Sequence, residues 1–254
     1  MKSFDLKLIK FISIFSTSLI MCSVCSAGQL GYFPIIQGSG KLLRDNIQLP
    51  AIKKLQIRGI AHLYIQQASH NELTIEAEDN ILPTLLHEVK GDTLYIGLKN
   101  TSIYPARIIT YTLKIKNLAD IKAFGDTKII CHSGLKLDTL SISVFNHAFA
   151  NIWFNGAKLV ALISNAANLT IGGFASRQEI IINEKGIFDG KQLHGSKGVL
   201  DITYSGHGII NVKDELQLNM PVEGYVQYLG KPKINKLISK HAIVSTAEEA
   251  FLRE

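Results

Sequence analysis

The sequence predicts an all-β fold, most of it stacked short coils. Three observations carry this. Apolar and polar residues alternate at every second position over long stretches. No long amphipathic helical pattern occurs in the 254 residues. Segments that join a small or polar corner to a brief aliphatic run recur roughly every twenty residues. With 46% hydrophobic residues and only six prolines, the chain can bury a sizeable core and is not a disordered one.

The opening stretch, MKSFDLKLIKFISIFSTSLIMCSVCSA, has lysines at 2, 7 and 10, an apolar run from Phe11 to Met21, and small residues at Cys25-Ser26-Ala27. That order is the pattern of a secretory signal peptide over residues 1–27. The apolar run is shorter than the ~20 residues that span a bilayer, so no integral membrane segment is expected once the leader is removed. A lipid anchor needs a small residue before the acylated cysteine, and Met21 and Val24 stand there instead. The expected location is therefore outside the cytoplasm, periplasmic or at the cell surface. Of the formal charge of +6, the leader holds three lysines and one aspartate, which leaves +4. No basic run remains, which excludes the clustered stripe that nucleic acid needs. Cys131 becomes the only cysteine, so packing rather than a disulfide must hold the domain together.

Residues 28–50 form an unpatterned lead-in, residues 51–246 the domain proper, and residues 247–254 a tail. From Leu55 to Ile65 apolar residues take every second position, and Leu73, Ile75 and Ala77 continue the alternation after a turn at His70-Asn71. NILPTLLHEVK, residues 80–90, is the one stretch before the tail that could form a short helix. Alternation returns through Leu94, Ile96 and Leu98, then through Ile109, Tyr111, Leu113 and Ile115. These residues make an N-terminal region of alternating strands.

Beyond Leu118 the corners recur: FGDTKIIC, FNHAFANIW, SNAANLTIG, INEKGIFDG, YSGHGIINV and PVEGYVQYLG. Aligning them places Ile130, Ile152, Ile171, Phe188, Ile210 and Val226 in one apolar column. Stacked at ~4.8 Å, such a column becomes a continuous core ladder. An antiparallel sandwich of short strands fits the same spacing and stays open as an alternative. Gly125, Asn146, Asn165, Gly186 and Gly224 mark the bends, where left-handed backbone or close approach is needed, and Gly206 and Gly208 make TYSGHGIINV a corner rather than a catalytic loop.

GDTLYIGLK, LADIKAFGD, YSGHGIINV and the closing phrase Gly224, Val226, Tyr228, Gly230 and Pro232 resemble the head GIN domain family of auto-transporter adhesins. The resemblance runs from about Leu55 to Val244. It implies a right-handed β-helix-like solenoid, an extracytoplasmic location and an adhesive or structural role, with no established chemistry. The chain departs from the family pattern at NHAF, NAAN and NEKG, where the corner glycines are replaced.

Catalytic residues are not expected. Ser205 and His207 have no orienting third group and no Gly-x-Ser-x-Gly elbow. The eight histidines show no metal-ligand spacing, so neither a metal nor any other cofactor is expected. Asp189 and Asn211, one place after the column in consecutive coils, could stack side by side, but one carboxylate is not a catalytic pair. Trp153, the only tryptophan, should face outward beside Ile152, with Cys131 one coil away on the same file. Exposed aromatics of this kind bind sugars or partners, although Trp153 and Phe154 could instead cover the coil beneath a loop. The expected function is an exported, non-enzymatic adhesive or scaffold module of the cell envelope. Its partner would be an envelope or host-surface polymer or protein, with Trp153, Asp189 and Asn211 as candidate ligand-binding residues. A polysaccharide-active enzyme on a β-helix and a periplasmic accessory binding protein are the alternatives.

Overall fold

Each coil consists of a front and a back strand segment, and left-handed backbone at Gly59, Gly125, Asn146, Asn165 and Glu184 marks corners where the apolar alternation breaks off. The computed structural model describes residues 35–99 and 101–246. The expected leader over residues 1–27, residues 28–34 of the lead-in and the tail 247–254 lie outside them. Twenty-two strands, numbered β1–β22 along the chain, occur among the described residues.

Two parallel sheets face each other across the core. The front sheet stacks β4 (Ala61–Gln67), β11 (Thr127–Lys136), the first half of β13 (Phe149–Ser164), the first half of β14 (Asn168–Ile182), β15 (Gly186–Asp189), β18 (Gly206–Asn211), β20 (Glu223–Leu229) and β22 (His241–Thr246). The back sheet stacks β3 (Lys54–Arg58), β10 (Asp120–Phe124), β12 (Thr139–Phe145), the second halves of β13 and β14, β17 (Lys197–Ile202), β19 (Glu215–Met220) and β21 (Lys233–Ile238). The result is a β-helix-like solenoid of about seven turns. The parallel register rules out the antiparallel sandwich.

Chain order and spatial order part company at one end. A coil made of β7 (Thr93–Leu98) and β9 (Thr110–Ile115) stacks on β3 and β4, on the side away from β10 and β11. Antiparallel strands then close this end: β5 (Glu72–Glu78) on β9, β2 (Leu42–Gln48) on β5, and β6 (Leu85–Lys90) on β7. Such a cap pairs the backbone groups that an open edge would leave exposed. Residues 80–90 hold one 3-10 turn, Leu82–Thr84, and then β6, in place of the expected short helix. Pro83 sits at the start of that turn, and pairing with β7 takes over the rest.

The core is a set of inward ladders, but the expected column is out of step. Ile152 and Ile171 are direct neighbours. Phe188 and Val226 belong to another ladder, which runs Ile129, Ala150, Leu169, Phe188, Gly208, Val226. Ile210 pairs with Tyr228, and Ile130 points outward beside Asn151. The cause lies in the corners. Left-handed backbone occurs at Gly125, Asn146, Asn165 and Glu184, and counting four residues on from each reaches Ile129, Ala150, Leu169 and Phe188. Gly186, Gly206 and Gly208 are strand residues. They are glycine because a Cβ at Gly206 would meet Ile182 at 2.5 Å and one at Gly208 would meet Leu200 at 3.0 Å.

The asparagine corners stack as a ladder of their own. Asn165 Nδ2 donates to Asn146 Oδ1 at 2.8 Å, and both residues hold positive φ, 58° and 54°. Asn165→Ala should cost about 1–2 kcal/mol, since alanine pays for the left-handed backbone and loses the bond. Asn165→Gly should cost less than half of that, because glycine accepts the backbone freely. Urea unfolding of the two variants checks the order.

Candidate binding surface

Alternation that turns Ile152 and Leu169 inward turns their neighbours outward, and stacking aligns these into rows. On the front sheet one row runs Lys128, Phe149, Asn168, Ile187, His207, Tyr225, Ile243. The next runs Ile130, Asn151, Thr170, Asp189, Ile209, Gln227, Ser245. Lys128 and Asp189 are the only formal charges in these rows. The His207 and Tyr225 rings meet edge to face at 5.8 Å, and Tyr225 shares a 3.1 Å hydrogen bond with Ser245.

The back sheet is different in kind. Its outward row Lys158, Arg177, Lys197, Glu215, Lys233 lies beside Val160, Glu179, Val199, Gln217, Asn235. Glu179 accepts Lys158 at 2.8 Å and Arg177 at 2.7 Å, and Lys197 meets Glu215 at 3.0 Å. Two back rows are thus charged and largely paired among themselves, beside a third row of Leu162, Ile181, Asp201, Asn219 and Leu237, while the two front rows are aromatic and aliphatic with few charges.

Trp153 faces outward on the front sheet and is 37% exposed. Its ring lies against Gly172 of the next coil, where any Cβ would come within 3.1 Å of three ring atoms. Phe154, beside it, is fully buried. Cys131 is not on the outward file: it is buried and pairs with Ile152. Burial pushes its thiol pKa up, partly offset by hydrogen bonds from Ser133 and Gly134. Asp189 and Asn211 are not side by side either, since Asp189 aligns with Ile209 and Asn211 with Leu229. Both hold the turn that follows Asp189: Asp189 Oδ1 accepts Lys191 N at 3.0 Å, and Asn211 Nδ2 donates to Lys191 O at 3.0 Å. Phe149, Ile187 and Tyr225 were not singled out from sequence. For Phe149 and Ile187 the signal was there, three residues after the left-handed corners at Asn146 and Glu184, while Tyr225 directly follows Gly224.

The family described as "Putative auto-transporter adhesin, head GIN domain" matches residues 51–232. The chain belongs to this family. No curated protein matches it. Among solved structures, the GIN domain resembles one from Bacteroides fragilis named a "putative adhesin", with TM-score 0.77 and 20% identity over 83% of this chain and 98% of that one. It also resembles a "putative adhesin" from Parabacteroides merdae, with TM-score 0.72 and 20% identity over 84% and 99%. A "putative lipid binding protein" from Parabacteroides distasonis follows, with TM-score 0.61 and 20% identity over 84% and 98%. At this identity the likenesses establish a shared fold. Among the described residues no helix is long and apolar enough to cross a membrane, and no group of three or more His, Cys, Asp or Glu could hold a metal ion.

Proposed function

We propose that this GIN domain is an exported, non-enzymatic adhesive module of the cell envelope, and that it binds an extended polymer or protein through the outward face of its front sheet. The observation that carries this is the contrast between the faces. Interface centres are poor in charge and rich in aromatic residues, as the front rows are, whereas a charged face already paired within itself has less to offer a partner. A regular surface with side chains repeating every ~4.8 Å suits an extended ligand better than a pocket would. Asp189 is the one carboxylate in the two rows, and glycoside hydrolysis uses a pair. The adhesin names of the family and of the similar structures point the same way.

Trp153 is the anchor in this reading. Its ring is held flat by Gly172, so little side-chain freedom is lost when a sugar ring or a partner covers it. An array of envelope glycans and matrix proteins tests the proposal. Trp153→Ala should weaken any binding found by about 30-fold, the effect of losing an aromatic hot spot worth ~2 kcal/mol. Binding unchanged by the substitution removes Trp153 from the site. Release of reducing ends from any polysaccharide contradicts the non-enzymatic role.

A further inference from the structure

The two ends of the solenoid differ. Antiparallel strands cover the coil at one end, while at the other, among the described residues, β21 pairs with β19 alone and β22 with β20 alone. Lys233 N donates to Asp214 O at 2.8 Å and Ser239 N to Met220 O at 2.9 Å, both in the coil beneath. Backbone groups alternate sides along a strand, so Ile234, Lys236 and Ile238 turn theirs to the open edge of β21. Ala161, Ile180, Leu200 and Leu218 form a buried ladder on the back sheet, and the register sets Lys236 on its next rung. Lys236 is exposed there, with Ile234 and Ile238 half-buried on either side of it.

Charge points to what covers this edge. Residues 230–246 hold lysines at 231, 233, 236 and 240 and no Asp or Glu. None of the four lysines forms an ion pair among the described residues. The sequence that follows, AEEAFLRE at 247–254, has three Glu against one Arg, with Phe251 and Leu252 between them. Its spacing matches as well. Five positions lead from Ile210 to Glu215 and five from Tyr228 to Lys233, where Ile210 stacks on Tyr228 and Glu215 on Lys233. Thr246 is the next residue in the Ile210–Tyr228 row. The same step from Thr246 reaches Phe251 over Lys233, which sets Leu252 over Ile234 and Glu254 over Lys236.

We propose that the open edge of β21 is the docking site of the chain's own residues 251–254, which add a parallel strand with Leu252 on Ile234 and Glu254 beside Lys236. An open parallel edge otherwise invites pairing with another chain. Strand addition satisfies its backbone groups, and the alternate side chains set the register. Lys236 then meets an opposite charge on the neighbouring strand, a favourable cross-strand pair. The tether is short, so the segment acts at an effective concentration on the order of millimolar and outcompetes a free strand. The site is independent of the front face.

Hydrogen exchange of the full chain, read at single amides, tests this. Ile234, Lys236 and Ile238 should exchange at least about a hundredfold more slowly than unprotected amides. Asn235 and Leu237, whose N–H groups face β19, report on the fold itself. Leu252→Asp should accelerate the three edge amides at least about tenfold and leave Asn235 and Leu237 unchanged. Lys236→Glu should act in the same direction, and combining it with Glu254→Lys should restore protection. Four results overturn the proposal. Free exchange at the edge amides of the parent chain would mean that Lys236 only discourages pairing. Protection that survives Leu252→Asp would mean a different occupant. Protection that rises with protein concentration would assign the edge to a second copy of the chain. No recovery in the double variant would separate Glu254 from Lys236.

Discussion

Ile171→Asp should leave the chain unfolded at 37 °C, while Thr170→Asn, one residue earlier, should melt within a few degrees of the parent. Ile171 is fully buried and stacks on Ile152. Truncating such a residue costs about 2–5 kcal/mol, and an unpaired buried carboxylate adds several more. Together these approach the ~5–15 kcal/mol that keeps a domain of this kind folded. Thr170 points outward between Asn151 and Asp189, where asparagine stays solvated and costs under ~1 kcal/mol. Circular dichroism melts of the pair decide the matter. Equal melting temperatures would mean that the inward register is wrong.

Glu78→Ala should produce the second large effect, confined to the capped end. Glu78 is buried, and its carboxylate accepts three backbone N–H groups: Gly40 at Oε1, and Ala106 and Arg107 at Oε2, the latter two at 2.9 and 3.3 Å. One side chain thus ties the segment before β2 to the loop before β9. Removing it strands those donors and should cost about 2–4 kcal/mol, since hydrogen bonds to a charged group are worth ~1.5–3 kcal/mol. Glu78→Gln should cost less, because the amide keeps one accepting oxygen while its NH₂ group faces another donor. Hydrogen exchange at Gly40, Ala106 and Arg107 should accelerate well before exchange at Ile152 or Ile171. Uniform exchange across the chain would contradict a local cap.

The class, the stacking and the corner chemistry were legible in the sequence because each is a local rule. Alternation through Leu55–Ile65 and Leu94–Leu98 announces strands, and the asparagines of NHAF and NAAN announce left-handed corners. Register was less legible because glycine plays two parts here. Gly125 is a true corner, while Gly186, Gly206 and Gly208 are strand residues that clear space for Ile163, Ile182 and Leu200. Treating Gly186, Gly206 and Gly208 as corners puts Ile210 out of its ladder and Asp189 next to Asn211, whereas Ile130 and Cys131 are displaced by counting five rather than four residues on from the true corner at Gly125. The cap was invisible for another reason. The return of β7 and β9 to β3 and β4 is a long-range pairing, and no nearby residue encodes it. The front face emerges only once the register is correct, since no single residue in Phe149, Ile187, Tyr225 and Ile243 is unusual alone.

Two isoleucines of matched exposure test the binding face most directly. Ile187 lies on the front face and is 41% exposed, and Ile181 lies on the back face and is 40% exposed. Lysine at either position should cost similar stability, so a difference in binding reports on the face alone. On whichever array ligand the parent chain binds, Ile187→Lys should reduce affinity at least tenfold and Ile181→Lys should leave it within twofold. Loss of binding in Ile181→Lys with Ile187→Lys unaffected would contradict the account and place the contact on the charged back sheet.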